Sequence, residues 1–241
     1  MPKVLRAAGH SGQHKTEVVH HHNAVKVHLP VTRNSADALR RIRRIFSTFI
    51  YRDFHALDLS NNCLDDRIIA ALLEALTKHV FELDFSTNQI GLSGCSHIGR
   101  YIALDVCNIQ ELNLANNKIN DISVVGLAKG IRRNPFIYRL DLSNNSITSV
   151  GANTIAAAFE ARHAKFYDDI YHKKELERPL LELNLSWNRV GIALPRLLCL
   201  PYLETLSVAS NALGQAINRY KEIVLPKLGA RSNINSSDDD G

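Results

Sequence analysis

The chain has 241 residues, 45% of them apolar and 22% charged, with a net charge of +5. That length and apolar content can bury a sizeable core, which excludes the disordered class. No apolar run is long enough for a secretory signal or a membrane span, and the four cysteines lie scattered through the body, which excludes a secreted disulfide scaffold. Cys63, Cys95, Cys107 and Cys199 read instead as small buried hydrophobes. The expected compartment is the reducing cytoplasm, with mitochondria and nucleus left open. The amino end has bases and no acids, but after Met1 only Val4 and Leu5 are large and apolar, too few for an amphipathic presequence.

Residues 1–53 hold ten Lys/Arg and three acids, so this segment at +7 exceeds the whole chain's surplus. Residues 1–24 are expected to be a flexible basic and histidine-rich segment. His20, His21 and His22 are adjacent and point to alternate faces if extended, so they cannot converge on one ion. Neither a metal nor any other cofactor is expected. Residues 25–53 read as a cap. Val25, Val27, Leu29 and Val31 alternate with polar residues as a strand does, and this strand is expected to cover the sheet's open edge. From Asn34, Leu39, Ile42, Ile45, Phe46 and Phe49 then form one face of a helix. Arg40, Arg41, Arg43 and Arg44 occupy its other faces as a basic patch.

From residue 54 to 225 one pattern recurs six times: LDLSNN, LDFSTN, LNLANN, LDLSNN, LNLSWN and LSVASN. Each copy has apolar first and third positions, an asparagine sixth, and an aliphatic residue two places on. Alternation gives a short strand with one buried face, and the asparagine turns the chain. A buried amide must be fully hydrogen-bonded, and the backbone of its own and neighbouring turns is what lies within reach. The pattern L-x-L-x-x-N-x-L resembles the leucine-rich-repeat family. That resemblance implies an α/β solenoid of about six repeats, with a curved parallel sheet on the concave side and helices on the convex side. It also implies a structural ladder of Asn62, Asn88, Asn117, Asn145, Asn188 and Asn211.

The ladder asparagines are 26, 29, 28, 43 and 23 residues apart. Spacings near 28 leave room for a full convex helix, as in residues 65–80, where Ile69, Leu72, Leu73, Leu76 and Val80 make one stripe. Helices of this length resemble the ribonuclease-inhibitor-like class, which includes the Ran GTPase activators. The long gap places a helical insertion at 160–179. Its Phe166, Tyr167, Ile170 and Tyr171 must pack on neighbouring repeats or on a partner. In the short gap the helix is expected to be interrupted at Pro195. A closing helix follows Asn211, and 226–241 is expected to be a mobile acidic tail.

The strand register exposes two columns of side chains on the concave face. The first is Ala56, Glu82, Glu111, Arg139, Glu182 and Thr205; the second is Asp58, Asp84, Asn113, Asp141, Asn184 and Ser207. Six carboxylates against one arginine make an acidic trough, suited to a basic segment of a protein partner. Trp187 fills the position before a ladder asparagine, where other copies carry polar residues, and reads as an exposed binding residue. No phosphate loop, nucleophile elbow or zinc spacing stands out, so the protein is not expected to be an enzyme. The reading is an interaction scaffold, a subunit of a larger, cytoskeletal or axonemal, assembly. The alternatives are a GTPase activator resembling the Ran-specific ones, and nucleic-acid association through Arg40 to Arg44. Nucleic acid is the weaker of these, since no aromatics interleave the arginines, and no membrane or oligomeric role is indicated.

Overall fold

A computed structural model describes residues 3–6, 17–21, 24–28, 40, 55–76, 80–166, 181–213 and 233–235, the first three segments and the last as backbone alone. Ten strands form one sheet in chain order: β1 (Lys3–Arg6), β2 (Glu17–His21), β3 (Ala24–His28), β4 (Ala56–Asp58), β5 (Glu82–Asp84), β6 (Glu111–Asn113), β7 (Arg139–Asp141), β8 (Leu181–Asn184), β9 (Leu203–Ser207) and β10 (Asn233–Asn235). From β3 to β10 every pairing is parallel, while β1, β2 and β3 form an antiparallel meander. Strand β3 pairs with β4 in parallel, Val25 opposite Leu57, and β2 and β1 lie beyond it. Two segments expected to be mobile contribute strands, β1 and β2 at one edge and β10 at the other. Their local composition is polar, but an edge strand presents unpaired backbone groups that any extended neighbour can satisfy.

Helices α1 (Asp66–Ala75), α2 (Leu92–Ile102), α3 (Asp121–Ile131), α4 (Ser149–Phe166) and α5 (Leu194–Leu198) alternate with the parallel strands and back the sheet. Leu57, Leu83, Leu112, Leu140, Leu183 and Leu206 align in register across β4 to β9 and are buried. Phe85, Ile98, Leu127, Ile155 and Leu197 join them in one continuous core beneath the sheet. Val80 is buried there too, but from outside α1, because the chain turns extended at Leu76. Pro195 does not interrupt its helix; it stands in the first turn of α5, where a missing N–H leaves no bond unmade.

After each of β4 to β9 the chain turns through a left-handed residue just before the ladder asparagine: Asn61, Thr87, Asn116, Asn144, Trp187 and Ser210, with φ from 49° to 57°. Asn88 Nδ2 donates to the carbonyls of Leu59, Phe85 and Ser86, and its Oδ1 accepts from the backbone N–H of Asn62 and Leu64. Asn117, Asn145, Asn188 and Asn211 repeat this arrangement, each tying its own turn to the one before.

Two aspartates link successive helices. Asp66, in the first turn of α1, accepts from Gly91 N at 2.7 Å and Ser93 N at 3.0 Å, capping α2, whose own cap residue is a glycine. Asp121 of α3 accepts from Thr148 N at 2.8 Å and Gly151 N at 3.0 Å, capping α4. Gly94 and Gly151 make the room, since a Cβ at either would collide with the capping carboxylate. Between α2 and α3 the backbones themselves approach, and a Cβ at Gly99 would run into the Gly126 carbonyl.

Candidate functional site

The concave columns stand in the rows expected. Register pairs Glu82 with Glu111, Glu111 with Arg139 and Arg139 with Glu182, and pairs Asp84 with Asn113 and Asp141 with Asn184. Asp58, Glu82, Asp84, Glu111, Arg139 and Asp141 line one groove of about 350 Å³. Adjacent strands in a sheet stand about 4.8 Å apart, so these charges act on one another.

Their local chemistry differs by row. In the second row each carboxylate folds back on its own strand end: Asp58, Asp84 and Asp141 each accept through Oδ1 from the N–H two residues on. Asn113 and Asn184 do the same at their positions. Their amides also donate sideways, Asn113 Nδ2 to Asp84 Oδ2 at 3.0 Å and Asn184 Nδ2 to Asp141 Oδ2 at 2.9 Å. Among the described residues no cation pairs with Asp84, Asp141 or the exposed Glu82.

In the first row Arg139 bridges its neighbours. Its Nη1 lies 2.7 Å from Glu111 Oε2, while Nε and Nη2 grip Glu182 in a fork at 2.7 and 2.9 Å. The Tyr138 hydroxyl donates to Glu111 Oε1 at 2.6 Å, and that bond, which ionisation would break, pushes its pKa up to about 12. The hydrogen bonds from Arg139 hold Glu182 below the usual carboxylate range. Tyr138 was not anticipated from sequence, because it precedes the strand pattern. Lys26 was not singled out either: β3 carries none of the repeat signature, yet its register sets Lys26 opposite Asp58. The trough is acidic in its middle, with a basic position at its amino-terminal end and an arginine clamp towards the other.

The remaining candidates lie elsewhere. Trp187 is 64% exposed at the left-handed turn after β8. Phe166 ends α4 on the convex side, half-buried, with Lys165 Nζ 4.7 Å from its ring centre. Helix α4 runs seven residues longer than α3, and the rest of the expected insertion, 167–179, lies outside the described residues. Tyr167, Ile170 and Tyr171 lie outside the described residues, as do Arg41, Arg43 and Arg44; Arg40 is helical and exposed. All four cysteines are free, but only Cys95 and Cys107 are buried. Cys63 and Cys199 are exposed, correcting the expectation for them: Cys63 sits in the turn after Asn62 with φ 53°, and Cys199 just past the short α5. Burial, with Asp66 nearby, pushes the Cys95 thiol up to about 12. Asn134, another residue the sequence did not single out, is buried; it donates to Ile102 O and accepts from the N–H groups of Phe136 and Ile137. The Asn134-Pro135 dipeptide was its turn signal. Among the described residues no helix is long and apolar enough to cross a membrane.

Strand, left-handed turn and ladder asparagine, repeated six times with five helices between the strands, define a repeat solenoid with an open concave sheet. A family model for the leucine-rich repeat matches residues 53–73, 107–128 and 133–156, and the chain is a leucine-rich-repeat protein. The matched segments contain Asn62, Asn117 and Asn145; geometry identifies the repeats of Asn88, Asn188 and Asn211.

Proposed function

We propose that the protein is a non-catalytic interaction scaffold whose concave trough holds a basic segment of a partner protein, as one subunit of a larger cytoplasmic assembly. Leucine-rich repeats generally bind proteins, and solenoids present their curved sheet for this. The observation that carries the reading is the state of Glu82, Asp84 and Asp141. They share one groove, and among the described residues no cation forms an ion pair with them. Like charges at that spacing repel, and a cationic guest offsets the repulsion. Arg139 adds selectivity, since a guest must place its basic residues on one side of the clamp.

Asparagine already closes the same turn at positions 113 and 184, so Asp84→Asn keeps the backbone while removing charge. Combined with Glu82→Gln, it is expected to weaken binding of a labelled lysine-rich peptide about tenfold. The charge-matched control Glu74→Gln with Asp105→Asn, at exposed sites away from the trough, is expected to bind as the wild type does. Equal affinities for all three proteins, read by fluorescence anisotropy, would remove the trough as the site.

A further inference from the structure

The convex side carries a second surface of opposite sign. A groove of about 1110 Å³ runs across α2, α3 and α4, walled by Arg100, Lys129, Arg132, Arg133 and Lys165 and lined by no acidic residue. All five cations are exposed, and among the described residues none forms an ion pair. Two features of the backbone make the groove. Gly99 and Gly126 let α2 and α3 approach until backbone meets backbone, which leaves a floor of small residues. The additional turns of α4 carry Lys165 past the end of α3 and raise the far wall.

Cations near helix carboxyl ends complement the helix dipole, which accounts for Arg100, Lys129 and Lys165 singly. A dipole asks nothing of Arg132 and Arg133 together, nor that charges of three helices face one concavity with no counter-charge. Such a cluster repels itself unless an anion enters. The lining has no Phe, Tyr or Trp on which a nucleobase would stack, and its single ring is the His97 imidazole. A flat bilayer meets a convex face better than a recess. An extended acidic chain fits, because its side chains alternate to either side and would meet the cations on both walls.

We infer that this groove binds an extended acidic peptide segment of a partner protein, independently of the concave trough. The test titrates the full chain into a labelled oligo-glutamate peptide. Arg132→Ala with Arg133→Ala is expected to weaken binding about tenfold. Lys165→Glu, at the opposite wall, is expected to do likewise. The charge-matched control Arg67→Ala with Lys118→Ala, at residues outside the groove's lining, is expected to leave affinity unchanged. An equal loss in the control would show that net charge alone is responsible and would overturn the site. So would a duplex RNA or a phosphatidylserine vesicle that binds through these arginines when the peptide does not, or self-association of the chain dispersed by the same pair.

Discussion

Single residues here carry two kinds of information, and they are unequally legible. The ladder asparagines and the concave columns follow from period and register alone, which is why Glu111 could be set beside Arg139 before any coordinates. The fork between Arg139 and Glu182 could not, because the register sets Arg139 between two glutamates and the choice of the gripped partner is a matter of side-chain reach. It has a titration consequence. Glu182 is depressed in the folded chain by its bonds from Arg139, so the pair contributes stability above the unfolded carboxylate value and loses it as pH falls through the folded one. The pair is well exposed, so the contribution is under about 1 kcal/mol after solvent screening. By carbon-detected NMR the Glu182 carboxyl is expected to titrate below an ordinary glutamate, and Arg139→Gln to return it to the ordinary glutamate range. An unchanged titration in that variant would separate the two groups.

At the scale of helices, Asp66 and Asp121 do what no local pattern announces. A cap normally precedes its own helix, as Asp65 does for α1 and Asn120 for α3. These two serve the next helix, 25 to 30 residues on, and the trace in the sequence is a glycine, Gly94 or Gly151, where a side chain would fit a helix better. Asp121→Ala is expected to lower unfolding stability by about 2 kcal/mol, since it leaves helix-end donors unmet. Gly151→Ala alone is expected to be destabilising because its methyl group displaces the carboxylate. In the Asp121→Ala background the same change should cost less, and denaturant unfolding of the four proteins gives the coupling. Additive effects would show that glycine is there for another reason. The convex groove was hidden for a similar cause: its cations come from three repeats, and they gather only once the helix ends are stacked.

For the whole molecule, the acidic hollow and the basic outer face divide a modest net charge into two opposed fields. A sum of +5 conceals both. The repeats beneath are joined to neighbours only, so a lesion at one turn should be felt next door and little further. Asn145→Ala is expected to destabilise the fold by roughly 2–4 kcal/mol, through several backbone groups left unpaired at once. In hydrogen exchange the Ile119 amide, which donates to Asn145 from the preceding repeat, should lose protection, while Val190 keeps its own. Uniform loss along the array would contradict nearest-neighbour coupling.

The links described above share a direction. Each ladder amide from Asn88 onward reaches back to a turn made earlier in the chain, and Asp66 and Asp121 wait, already in place, for helices that come after them. A ribosome releases the amino end first. Every new coil that emerges therefore meets a finished template carrying the acceptors and donors it lacks, and the array can be laid down turn by turn during synthesis, without waiting for its far end.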